Sequence, residues 1–490
     1  MSQLNKDILF LLFEELQDDS KSLFSCLLVN RLWCETVIPI LWRNPWSYNI
    51  DYKNKSYLFA IIAYYLPIDI KEFLLRQEIH FPLISYQSLL FDYLSFCRSI
   101  NINIINSIIL IGSSLEYNQF ILQQEFYNIL ITTCPELKYL DMRSINHQIF
   151  YFPEAKVRLE TLYELKCDTS VNSAYFYELA RICKNIQKLV IINNIIKSNH
   201  GIAKLIEAQV NLKNFEWKDE FDDGDFMEDS YEDTLLALEE KADNLNHLKI
   251  FIQYINWYEN TLLEEVLSKL YKLKSLIIID DTIYFTKNKL IYQYIEVLHI
   301  DYITINTASY IIENSGGHLK EILLFKHYDY FFETNFNEDS LNFIRKIGEH
   351  CPSIEYLTPV FLPEKEHFNE FEKLLKVCQK LKLLLLNLNV FDFNKTETFE
   401  EILEYEIELL KVLIRSAPTN LKEFRFIDDF EISLQALEEF LKQWKGRPAL
   451  SILTTCHIYN GEDYKRLINK YKNEEVIKDF RVVSQYEIYY

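Results

Sequence analysis

The chain has 490 residues, 49% of them hydrophobic and 25% charged, with a net charge of −21 from 51 basic and 72 acidic side chains. So acidic a surface repels phosphate backbones and excludes nucleic acid as the expected partner. Only eight glycines and eleven prolines leave little room for flexible linkers, and no apolar run approaches the roughly 18 residues that cross a bilayer. The expectation is a soluble intracellular protein, cytoplasmic or nuclear, of near-continuous architecture, with no membrane contact.

From the N-terminus, Ile8, Leu9, Leu12, Phe13 and Leu16 recur at helical spacing. Asp18, Asp19 and Ser20 then make a polar break, with Ser22 as the expected N-cap of a helix from Leu23 to Trp33. A further apolar helix leads through Pro39 to Leu41-Trp42. Three short helices in some forty residues bury little surface by themselves and call for a partner to complete the core.

Residues 1–46 resemble the F-box motif. The resemblance rests on Leu4-Asn5, on Ile8-Leu9 with Leu12-Phe13 and Leu16, on Asp18-Asp19, and on Leu27-Leu28-Val29-Asn30-Arg31-Leu32-Trp33, closing at Leu41-Trp42-Arg43. Asn5 departs from the proline usual there. The resemblance implies docking onto a Skp-type adaptor and, through it, onto a cullin. The expected adaptor contacts are Leu4, Ile8, Phe13, Leu16, Leu27, Val29 and Trp33. The alternative is that these helices only cap a downstream solenoid, since repeat arrays need terminal caps. Full wrapping of this apolar surface by the rest of the chain would remove the docking reading.

Residues 47–125 read as a helical spacer with degenerate repeats: Tyr57–Leu66 and Leu83–Cys97 are apolar helices, and Pro67 and Pro82 are breaks. From about residue 126 to the end one unit recurs: a helix ending near Cys or Pro, then Leu, two residues, Leu, one residue and an apolar side chain. Cys134-Pro135-Glu136-Leu137-Lys138-Tyr139-Leu140-Asp141-Met142 is the clearest copy, and Cys351-Pro352-Ser353-Ile354-Glu355-Tyr356-Leu357 echoes it. Copies starting at Leu159 or Leu162, Ile186, Leu212, Leu248, Leu273, Ile295, Leu319, Leu381, Leu421 and Leu450 continue the series. This line resembles the cysteine-containing leucine-rich repeats of many F-box proteins, although most copies lack the Asn or Cys after the strand; Asn193 and Asn389 come nearest.

The implied fold is α/β: a three-helix F-box, then a leucine-rich-repeat solenoid over 126–490 with short parallel strands on its concave face and helices on its convex face. A bound target protein would then meet the side chains between buried strand positions. These include Tyr139, Asp141, Glu164, Lys166, Lys188, Glu216, His299, Asp301, Glu423 and Arg425, a set mixed in charge. Lysines following the leading leucines read as solvated positions.

Nine cysteines, with no Cys-x-x-Cys pair, argue against a disulfide framework or a structural zinc site. Cys134, Cys183, Cys351 and Cys378 share one slot, three residues before the leading Leu or Ile, where a small apolar group ends a helix. Between Lys218 and Asp233 runs an acidic stretch, read as a solvated loop, with attraction of a basic partner as the functional alternative. No nucleotide-binding, hydrolase or zinc-protease motif occurs, so neither catalysis nor a cofactor is expected. His350 beside Cys351 and His457 beside Cys456 are sequence neighbours whose side chains diverge. The expected function is target recognition for a ubiquitin ligase, with catalysis on other subunits.

Overall fold

A computed structural model describes residues 5–48, 52–81, 88–194, 199–220, 231–253, 257–279, 290–300, 303–323, 335–360, 362, 364–386, 399–426 and 432–484. The chain divides into two compact units, Met1–Leu238 and Glu239–Tyr490.

In the first unit, α1 (Lys6–Glu14), α2 (Ser20–Cys26) and α3 (Arg31–Leu41) form the N-terminal module. Helices α4 (Tyr52–Tyr64), α5 (Ile68–Arg76) and α6 (Tyr93–Phe96) follow, and then strands alternate with helices. The order is β1 (Ser99–Asn101), α7 (Ile102–Ile109), α8 (Glu116–Thr133), β2 (Tyr139–Asp141), α9 (Ala155–Glu160), β3 (Glu164–Asp168), α10 (Ser173–Ile182), β4 (Lys188–Asn193), α11 (His200–Glu207), β5 (Asn214–Asp219) and α12 (Glu232–Glu239). Strands β1 to β5 are parallel and pair in sequence order. Ile100, Leu140, Leu165, Leu189 and Phe215 align in one buried row. Burying each such side chain contributes about 1.5–3 kcal/mol.

The second unit repeats the scheme: β6 (His247–Phe251), α13 (Trp257–Lys269), β7 (Ser275–Ile279), β8 (Val297–Ile300), α14 (Ile305–Glu313), β9 (Glu321–Leu323), α15 (Phe336–His350), β10 (Tyr356–Leu357), α16 (Lys365–Val377), β11 (Leu383–Leu386), α17 (Phe399–Ser416), β12 (Glu423–Phe426), α18 (Leu434–Trp444), β13 (Leu450–Thr454), α19 (Glu462–Asn473) and β14 (Ile477–Val482). Its strands are again parallel and sequential, with Leu248, Leu276, Leu298, Ile322, Leu357, Leu384, Phe424 and Ile452 in register. Short parallel strands joined in most cases by a crossover helix explain the α/β repeat, because a parallel neighbour can be reached only by a long return. No described helix is long and apolar enough to cross a membrane.

Three expectations change in detail. The register places Leu248 opposite Leu276, the second leucine of its repeat, so the fully buried Leu245 is the residue that opens the copy. The strand series begins at Ser99, within the stretch read as a spacer with degenerate repeats, where the three residues Ser99–Asn101 suffice to pair with β2. Of the helix expected over Leu83–Cys97, the described residues form only Tyr93–Phe96; residues 82–87 lie outside the described set.

The cysteine slot is structural. Cys134, Cys183, Cys351 and Cys378 are the C-caps of α8, α10, α15 and α16, and all four are buried. Cys97 caps α6 in the same way. The Cys134 Sγ donates to the Cys97 carbonyl at 2.9 Å, linking successive caps. Burial pushes the thiols of Cys183, Cys351 and Cys378 up to about 12, so they stay protonated and inert.

Candidate functional site

The N-terminal module is built from three capped helices. Asn5 accepts from the Asp7 N–H at 3.4 Å and caps α1. Asp19, not Ser22, caps α2; both the N–H and the hydroxyl of Ser22 donate to its carboxylate. The single helix expected from Leu23 to Trp33 is broken in two. Asn30 is fully extended (φ −166°, ψ 174°) and accepts from the Trp33 N–H at 3.0 Å, which starts α3. Asparagine and aspartate win these positions because their short side chains satisfy first-turn N–H groups that the backbone leaves unpaired.

Leu9, Phe13, Leu23, Val37, Ile40 and Leu41 form the module's core. Phe10, Leu16, Leu27, Leu32 and Trp33 pack around them, and the Trp33 ring meets Phe13 edge-on at 5.1 Å. The expected contact residues therefore separate into two sets. Phe13 is buried, and Leu16, Leu27 and Trp33 are half-buried against that core, so these four hold the helices together. Ile8 and Val29 lie at the surface. Leu4 lies outside the described residues.

Further exposed apolar side chains on this module were not among the expected contacts. Leu11 (62% exposed) and Leu12 share the stripe of Ile8 on α1, and Leu28 (88% exposed) stands beside Val29 in the turn between α2 and α3. Phe24 on α2 is also about half exposed. Helical spacing could have found Ile8, Leu11 and Leu12, since i, i+3 and i+4 share a face. Which of the two apolar faces of α1 turns inward was set by packing against α3.

The module is also fastened to the first strand. The Trp46 Nε1 donates to the Ser99 carbonyl at 2.8 Å, the Arg98 N–H to the Arg43 carbonyl at 2.9 Å, and the Ser99 hydroxyl reaches Asn44 Oδ1 at 2.9 Å. Arg43 pairs with Glu14 at 2.8 Å, tying the end of α3 back to α1.

Of the expected target-facing residues, those described flank the buried row of the strands. Tyr139, Glu164, Lys188 and Glu423 occupy the row just before the buried one, and Asp141, Lys166, Glu216, His299 and Arg425 the row just after it. Asp301 lies outside the described residues. Charges on these rows are largely matched within the chain: Lys188 with Glu164 at 2.9 Å, Arg143 with Asp141 at 2.7 Å, Arg425 with Glu423 at 2.7 Å, and His299 Nε2 with Glu321 at 3.2 Å. Among the lysines read as solvated, Lys320 and Lys382 are about half exposed and also make ion pairs, with Glu296 at 2.5 Å and with Glu355.

The acidic stretch is not loop throughout. Asp219 ends β5 and is 1% exposed; it accepts from Asn193 Nδ2, Trp217 Nε1 and the Tyr231 hydroxyl, each at 2.8 Å. Thr169 donates to Asn193 Oδ1 at 3.0 Å, so β3, β4 and β5 end in one polar ladder. Composition alone misses this because Asp219 opens a run of solvated-looking acids. Residues 221–230 are outside the described set, as is Asn389.

Among the described residues no three His, Cys, Asp or Glu side chains converge as metal ligands. The Cys351 thiol faces Ser315 at 4.0 Å, and His350 lies 3.8 Å from Glu349. A scan against models of known protein families found no match, and no curated protein matches the sequence either.

Proposed function

We propose that the chain is the target-recognition subunit of a Skp–cullin–F-box ubiquitin ligase. In this reading the N-terminal module docks the Skp adaptor, a leucine-rich-repeat array holds a target protein, and the chemistry takes place on other subunits. The observation that carries it is the exposure of two groups of large apolar side chains, Ile8, Leu11 and Leu12 on one face of α1 and Leu28 and Val29 in the turn between α2 and α3, on a module that has a core of its own. Large apolar side chains grouped on a surface mark association sites, and leucine stripes on a short helix suit a helix-in-groove contact. Tethering then raises the local concentration of target lysines near the conjugating enzyme.

The test is co-purification of the full chain with a Skp-type adaptor. The chain in which Ile8, Leu12 and Leu28 are all changed to serine is expected to bind at least about a hundredfold more weakly, since central apolar anchors contribute about 2 kcal/mol or more each. Its repeats should remain folded, because all three side chains are exposed. Undiminished capture by that variant, or none by the native chain, removes the reading.

The hydrogen bonds from the Arg98 N–H to Arg43 and from Trp46 to Ser99 favour a second reading, in which the module only caps a repeat scaffold. A native chain that ignores the adaptor yet loses stability when α1–α3 are removed would support it.

A further inference from the structure

One buried polar contact in the second unit joins two helices directly. His367, in the first turn of α16, is fully buried, and its Nε2 lies 2.9 Å from the hydroxyl of Ser340, in the second turn of α15. That hydroxyl also lies 3.1 Å from the Asn337 carbonyl; donating there, it accepts from His367, the arrangement that puts the proton on Nε2. Nδ1 is then a bare lone pair with no hydrogen-bond partner. A second proton has only this nitrogen to take. It would create a buried N–H cation without an acceptor, close to the N-terminal ends of two helices whose dipoles are positive there.

We propose that the α15–α16 junction is an acid-sensitive latch, closed by neutral His367 and opened when Nδ1 is protonated. The charged groups around the ring do not offset this. Burial is the dominant influence and pushes the imidazole below its ordinary value of 6.5; Arg345 on α15 acts in the same direction. Glu364 and Glu366 on α16 and the Asn337 carbonyl favour the cation but are outweighed. Asp339 on α15 works in the opposite sense: burial and Glu338 raise its carboxyl, so the closed form gains protons there in acid. Because the opened junction binds the imidazole proton more tightly, closure is fully favoured above 6.5 and is lost as the pH falls below it.

Hydrogen exchange on the full chain tests the latch, read in peptides covering α15 and α16 at pH 7.5 and 5.5 after correction for intrinsic rates. The native chain should open more readily at pH 5.5, by up to about tenfold, the limit set by one pH unit below 6.5. His367→Gln and His367→Phe both retain Asp339 and cannot titrate at this site, so either should lose that excess. The excess should be confined to these two helices and their neighbours. Equal acid opening in a folded variant overturns the proposal, as does a native chain whose α15–α16 exchange shows no acid excess.

Discussion

Replacing Asp219 by alanine strips the acceptor from three buried donors at once: Asn193 Nδ2, Trp217 Nε1 and the Tyr231 hydroxyl, each at 2.8 Å. Leaving one buried donor unsatisfied costs about 1–3 kcal/mol, and bonds to a charged acceptor fall in the upper part of that range. The cavity left by the carboxylate can admit a water that recovers part of this, so the expected loss is about 3–6 kcal/mol. Asp219→Asn keeps the shape and one acceptor oxygen and should cost about 1–3 kcal/mol. Urea titration of the full chain gives the overall change. Hydrogen exchange in peptides covering Lys188–Asn193 and Asn214–Asp219 locates it in β4 and β5. If Asp219→Ala loses less than about 1 kcal/mol and leaves β4–β5 exchange unchanged, the ladder is not what closes the ends of these strands. Deletion of residues 219–233 should likewise destabilise the first unit, since it removes both Asp219 and Tyr231.

Gly201 lies on α11 where an added Cβ would come within 2.5 Å of the Ser173 carbonyl, so Gly201→Ala should cost about 1–3 kcal/mol, read as a lower urea midpoint. Trp46→Phe removes the donor to the Ser99 carbonyl and should loosen the module from β1, seen as faster exchange over Arg98–Asn101, at about 1–2 kcal/mol. Phe13→Ala, in the module's core, should destabilise folding by about 3–5 kcal/mol, whereas Leu28→Ser should leave the urea midpoint unchanged. All nine cysteines are free and seven are buried, so a thiol reagent should label Cys26 and Cys34 in the native chain and the rest only in denaturant. Rapid native labelling of Cys134, Cys183, Cys351 or Cys378 would refute the capping role assigned to them.

The repeat was legible because its two periods sit side by side. A helical face such as Phe343, Ile344 and Ile347 leads into Cys351 and then into strand positions two apart, and only a strand–helix unit buries both. Copies anchored by a cysteine were placed correctly. Among those without one, the copies opening at Leu162, Leu212, Leu273, Ile295, Leu319 and Leu421 also fell in register, and only those assigned to Leu248 and Leu450 did not, because a leucine-rich stretch offers several equivalent registers and only the neighbouring strands choose among them. The N-terminal helices were visible as an apolar rhythm, but their ends depended on Asp19 and Asn30, which cap only in the backbone conformation the fold imposes.

Local sequence by itself determined the unit: leucine spacing, cysteine caps and scarce glycine and proline encode a strand and a helix again and again. Tertiary structure decided what each residue faces. Leu383–Leu386 form a strand although leucine favours helices, because parallel neighbours on both sides supply the hydrogen bonds. Phe13 is core and Leu12 is surface for a similar reason: hydrophobicity says that a side chain gains from leaving water, and only the position of a partner helix says which side chain can do so.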